Sequence, residues 1–192
     1  MIKIDKNIRA LIFDCDGTLV DSMPMHFESW RETFEAHGKE YPHTFVDKRK
    51  GMTINKVIEE YNLEFNDSIN PEKFVTEFES RAIIKLQNVK PIDIVVEIVY
   101  QYKDILPMAV CSGSNKESVE TSLKAIGVDT YFKEIITADD KLKAKPAPDM
   151  FLEAAKRLNV KAEFCQVFED SDLGIKAAQN AGMVATDIRN FF

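Results

Sequence analysis

Asp14 and Asp16 stand two residues apart, separated by Cys15 and followed by Gly17 and Thr18, at the end of the apolar run 10–13. Two carboxylates at this spacing can divide labour: one attacks an electrophile or ligates a metal, while the other, further along the turn, donates and accepts a proton. Three more groups downstream carry complementary chemistry. Ser112, with the backbone amides of Gly113 and Ser114 opening a helix, can hold phosphate oxygens as helix N-termini do. Lys145, followed by Pro146, brings a positive charge that offsets the repulsion between a carboxylate nucleophile and a phosphate dianion. Glu169 and Asp170 are hard oxygen donors; together with Asp14 and the main-chain carbonyl of Asp16 they form a set suited to Mg²⁺.

The elements that must position these residues can be read from periodicity. Ala10 to Phe13 form a buried strand, and Ser22 can cap a helix with Pro24 in its first turn and Phe27, Trp30 and Phe34 on its apolar face. Thr53 opens a second helical pattern (Ile54, Val57, Ile58, Tyr61), and Pro71 a third (Phe74, Val75, Phe78, Ala82). Residues 22 to about 88 contain no strand pattern. From Ile94 a helix leads to a strand at Met108 to Cys111 and then a helix from Asn115 to Ile126 closed by Gly127. Further strands are expected at Ile135 to Thr137, Cys165 to Phe168 and Met183 to Thr186, with helices around Phe151 to Leu158 and Gly174 to Ala181. This alternation predicts an α/β fold with a mainly parallel sheet covered on both faces. Residues 1–20 and 91–192 are expected to form that core, with 21–90 a helical insertion after the first strand, seated as a cap above the carboxyl edge of the sheet. In such sheets, chemistry occurs at the carboxyl ends of the strands, where all four groups fall.

The chain has 192 residues, of which 45% are hydrophobic and 30% charged, as in an ordinary globular protein. Lys and Arg number 25 against 32 Asp and Glu, a net charge of -7, which provides no diffuse basic surface for nucleic acid or anionic lipid. An anionic small molecule would need local neutralisation. Cys15, Cys111 and Cys165 are widely spaced beside or within apolar runs and read as buried reduced thiols. No apolar stretch approaches the roughly 18 residues of a membrane span, and no long apolar segment precedes Asp14. A cytoplasmic, monomeric protein is expected, with neither nucleic-acid nor membrane partners.

The order of DCDGT, SGS, the lysine of AKPAPD, and EDSDLG resembles the four motifs of the haloacid dehalogenase superfamily, in the branch of β-phosphoglucomutase-like and sugar-phosphate phosphatase proteins, and the match runs essentially end to end. The resemblance implies a Rossmann-like core whose helical insertion closes over a small phosphorylated metabolite. It makes Asp14 the nucleophile that becomes aspartyl-phosphate, Asp16 the general acid/base, Ser112 and Lys145 the phosphate binders, and Asp170 the Mg²⁺ ligand supported by Glu169. Asp21 and His26 match positions near the cap hinge. Dehalogenases of the superfamily lack an aspartate at the place of Asp16, so phosphoryl transfer is expected instead. Phosphatase and phosphomutase both pass through an acylphosphate and differ in the acceptor. In β-phosphoglucomutases an arginine follows a Lys-Gly pair and a lysine sits in the last cap helix; here those places fall on Ile54 and Glu79, with Arg81 nearby, which favours a phosphatase.

Each assignment has a plainer competitor. Glu169 to Asp172 could serve only as a helix N-cap run, and His26 as a packing histidine. Arg49 and Lys50 could meet a phosphorylated sugar or form a solvated basic turn. The phenylalanines 27, 34, 74 and 78 read as core. A receiver-type phosphate switch also combines an acidic pocket, a hydroxyl residue and a lysine, but its acceptor lies on a middle strand without a large helical insertion.

Overall fold

The computed structural model describes residues 2–49 and 52–191, so Lys50, a candidate substrate contact, lies outside the described residues. Five strands form one parallel sheet: β1 (Ala10–Phe13), β2 (Met108–Cys111), β3 (Glu134–Ile136), β4 (Cys165–Glu169) and β5 (Val184–Asp187), in the order β3-β2-β1-β4-β5. Leu11 pairs with Met108 on one side and Gln166 on the other, so β1 is central. Every residue of β1, β2 and β4 is buried, as expected of a parallel sheet covered on both faces. Strand alternation sends Ala10 and Ile12 to one face, where they join Ala109, Cys111, Phe151 and Ala178 in a continuous core. Phe13 stacks on Phe168 with ring centroids 4.7 Å apart, and Phe132 meets it edge-on at 5.9 Å. Burying one such ring contributes about 1.5–3 kcal/mol.

The remaining helices are α1 (Met23–Ala36), α2 (His43–Asp47), α3 (Ile54–Phe65), α4 (Pro71–Leu86), α5 (Asp93–Tyr102), α6 (Lys116–Ala125), α7 (Asp149–Arg157) and α8 (Asp172–Asn180). Local chemistry explains their ends. Thr53 accepts from the Lys56 amide to cap α3, Asn115 accepts from Ser118 to cap α6, and Ser171 accepts from Gly174 to cap α8. The chain divides into two compact units, one running up to Ser22 and resuming at Gln87, the other Met23–Leu86. The sheet and α5–α8 make up the first.

The second unit holds α1–α4 and, among its described residues, no strand. Its core is aromatic: Phe34 lies 5.0 Å from both Phe74 and Tyr61, and Trp30 lies 5.0 Å from Phe78. Phe27, read as core, is instead 42% exposed, packed edge-on to Tyr41 at the surface. α2 has no counterpart in the sequence reading, because five residues after Pro42 are too few to show a period. β3 ends one residue early because Thr137 turns its hydroxyl to cap a 3₁₀ turn over Ala138–Asp140.

Candidate active site

The four groups of chemistry-bearing residues do meet at the carboxyl ends of β1, β2 and β4, within the sheet-containing unit. The Asp14 amide donates to the Phe168 carbonyl at 3.0 Å, which continues the β1–β4 ladder into the loop and fixes the first carboxylate. The Cys15 carbonyl accepts from the amides of Thr18, Leu19 and Val20, winding the loop into a tight turn. Gly17 sits in that turn at φ +84°, and any Cβ built there would strike the Asp170 carboxylate, so only glycine lets the two loops approach. Thr18 donates to Asp170 Oδ1 at 3.3 Å.

Lys145 is the hub. Its Nζ donates to Asp14 Oδ1 and to Glu169 Oε2, both at 2.6 Å, and to the Cys111 carbonyl at 3.3 Å. Glu169 is only 1% exposed, and its other oxygen accepts from the amides of Asp170 and Ser171 and from the Ser171 hydroxyl. Gly174 backs this carboxylate so closely that a Cβ would run into it. Oxygens of Asp14, Glu169 and Asp170 lie within 4.8 Å of one another.

Three carboxylates here face one ammonium, and the protonation energetics reflect it. Burial pushes Asp14 well above the usual carboxylate range, Glu169 adds to the rise, and Lys145 offsets part of it. Asp170 is pushed up to about 6 by burial and by Glu169. Burial works against the charge on Lys145, but Asp14 and Glu169 together hold it above the ordinary lysine value. Surplus negative charge among hard oxygens in a partly buried pocket is an environment that a small divalent cation would relieve. The donor set fits such an ion.

Asp16 lies beside this cluster and is held by hydroxyls. Oδ1 accepts from Ser22 at 2.7 Å, and Oδ2 accepts from Ser114 at 2.7 Å and Ser112 at 3.2 Å. The Ser112 amide donates to the Ile136 carbonyl, and its hydroxyl accepts from the Ser114 amide, so a short turn at the end of β2 brings both serines together. Gly113 is exposed with open space around it.

Asp14, Asp16, Ser112, Ser114, Lys145, Glu169 and Asp170 are thus one constellation. Asp21 is exposed, its amide bonded to the Lys90 carbonyl. His26 belongs to the helical unit, where its ring stacks on Phe78 with centroids 6.2 Å apart. Arg49 spends its guanidinium inside that same unit: it lies 3.4 Å over the Phe45 ring, pairs with Glu60 at 2.8 Å and with Glu64 at 3.2 Å. Sequence reasoning did not find Ser22 as a partner of Asp16, because a serine before a helical pattern reads as a cap. The three cysteines are free and buried, and burial raises all three thiols, Cys165 to about 11.

Comparison with known proteins agrees with this arrangement. The family profile described as haloacid dehalogenase-like hydrolase matches residues 11–187. The chain is similar to the fructose-1-phosphate phosphatase YqaB of Escherichia coli, 36% identical over 182 residues that cover 94% of this chain and 96% of that one. It is 34% identical over 184 residues to a phosphorylated carbohydrates phosphatase of Thermotoga maritima, covering 92% and 82% of the two chains. A solved structure described as a HAD hydrolase of family IA, variant 3, from Entamoeba histolytica superposes with a TM-score of 0.80 at 27% identity, over 93% of this chain and 82% of that one. With four motif groups gathered at one end of a parallel five-stranded sheet and a family match that spans nearly its whole length, this chain belongs to the haloacid dehalogenase-like hydrolases.

Proposed function

We propose that this phosphoric monoester hydrolase acts on phosphate esters of small sugars, through an aspartyl-phosphate on Asp14 and with Mg²⁺. The observation that carries the reading is the placement of Lys145 between Asp14 and Glu169, with Asp16 on the neighbouring turn. An Asp14 oxygen attacks phosphorus; the phosphorus–oxygen bond to the sugar breaks, and the departing oxygen keeps the electron pair and takes a proton from Asp16. Asp16, now a carboxylate, accepts a proton from water as that water attacks phosphorus and the bond to Asp14 breaks. The balance is ester plus water to sugar plus inorganic phosphate. Lys145 and the Ser112 hydroxyl, with the amide of Gly113, bind the phosphate oxygens that carry charge. Asp14, Glu169, Asp170 and the Asp16 carbonyl would hold Mg²⁺, which when bound supplies positive charge against the phosphate.

A phosphomutase must also grip the far phosphate of a bisphosphate. Ile54 and Glu79 cannot do so, Arg81 is engaged by the carbonyl and carboxylate of Glu77, and Arg49 by Glu60 and Glu64. These engagements support hydrolysis. The nature of the YqaB relative points to fructose 1-phosphate as a first ester to try, with Asp21, His26, Arg49 and Lys50 proposed to influence the choice among esters. With Mg²⁺ and a panel of hexose and pentose phosphates, inorganic phosphate should accumulate in step with ester loss, added sugar bisphosphate should not accelerate it, and Asp14→Asn should reduce it by at least about a thousandfold. Isomer formation stimulated by bisphosphate, with little phosphate released, would establish a mutase instead.

A further inference from the structure

The hydroxyl of Ser114 does not point at the place its motif suggests. A serine two residues after Ser112 at the mouth of a helix reads as part of a phosphate cradle, acting through its amide. In the structure that amide closes a turn onto Ser112 Oγ at 3.0 Å, and the turn swings the Ser114 side chain back so that its hydroxyl donates to Asp16 Oδ2 at 2.7 Å. Ser112 donates to the same oxygen, but at 3.2 Å, and its hydroxyl is the one the proposed reaction commits to phosphate.

A carboxylate turns readily about its terminal bond, so one anchored oxygen leaves its plane loosely defined, whereas a donor on each oxygen fixes it. Ser22 anchors Oδ1. Once phosphate draws the Ser112 hydroxyl away, Ser114 still holds Oδ2. A general acid must lie within hydrogen-bond reach of the leaving oxygen and be aimed at it, and a small rotation spoils the transfer.

We propose that Ser114 is a positioning residue for Asp16, setting the plane of its carboxyl group through the side-chain hydroxyl. The inference rests on the acid/base role proposed for Asp16. Such a role affects esters unequally. A sugar alkoxide leaves only if protonated, while an aryl oxide such as 4-nitrophenolate needs little help.

The test measures kcat and KM for phosphate release from a hexose monophosphate and from 4-nitrophenyl phosphate, with Mg²⁺, for the full-length protein, Ser114→Ala, Ser114→Thr and Asp16→Asn. Ser114→Ala should lower kcat on the hexose phosphate by about tenfold, change kcat on the aryl phosphate by no more than about twofold, and leave both KM values nearly unchanged; Ser114→Thr should recover most of the loss. An equal fall on both esters, or a rise in KM alone, would assign Ser114 to phosphate binding and overturn the proposal. Crystal structures of the wild type and Ser114→Ala, each grown with inorganic phosphate so that the Ser112 hydroxyl is drawn from Asp16, provide a readout free of turnover: the Asp16 carboxyl plane should rotate or spread over several orientations in the variant, and an unchanged Asp16 would refute the role. Asp16→Asn separates the two ways of failing. If its loss ignores the leaving group, the acid/base reading falls, and the crystal comparison still decides whether Ser114 orients the side chain.

Discussion

Asp170 is a carboxylate whose burial beside Glu169 weakens the fold. In the folded protein burial and Glu169 push it up to about 6, against about 3.9 for an unfolded aspartate, and Asp14 is shifted in the same direction. Between those two values the native state holds more protons than the unfolded chain, so the metal-free protein loses stability as pH rises from about 4 through about 6 and stays at the lower level above it. Asp170→Asn removes that charge. In excess chelator the variant should melt several degrees above wild type at pH 8 and close to it at pH 4.5, whereas added Mg²⁺ should raise the wild-type midpoint and leave the variant's nearly unmoved. Thermal melts at the two pH values check this, and equal midpoint differences at pH 8 and 4.5 would show that the repulsion is not being relieved.

At the scale of elements, the site depends on how closely β1, β4 and α8 approach. Gly174, in the first turn of α8, leaves space that the Glu169 carboxylate fills. Gly174→Ala should displace Glu169, release Lys145 from one of its two carboxylates, and cost about 1–3 kcal/mol of stability together with most of the activity. Urea melts and phosphate release measure the two losses; an alanine variant as stable and active as wild type would show that the helix shifts freely. The ends of β1 and β2 were legible residue for residue, since four consecutive apolar residues bounded by Asp or Ser leave little choice of boundary. Lys145 and the Glu169-Asp170 pair were legible only as chemical types in the right order. Their mutual grip was not, because Lys145 and Glu169 come together only through the sheet order. The bond from Ser22 to Asp16 was hidden for a related reason: a cap and a side-chain donor share the same residue type, and the partner six positions back is set by the turn at Gly17. α2 carried too few residues for any period. The exposure of Phe27 escaped because a four-helix insertion buries a stripe of each helix and leaves aromatic residues at its edge.

Over the whole molecule, charge is distributed in two regimes. Many of the described ion pairs have a solvent-exposed partner, such as Arg31 with Glu35 or Lys156 with Glu153, and contribute little against solvent screening. One is not. Lys145 has 13% of its side chain exposed and all three of its ammonium hydrogens engaged, and it is held charged by its neighbours. Amine-directed reagents attack only the uncharged form of a lysine, and they must reach it. Lys161, with 80% of its side chain exposed, should therefore be acylated or reductively methylated long before Lys145, as peptide mapping by mass spectrometry would report. Comparable labelling of the two would mean that the buried ammonium exchanges freely with solvent. Since exposed amines such as Lys161 react first, the protein should tolerate covalent attachment to a solid support through them while the amine to which the proposed reaction assigns the phosphate stays chemically hidden.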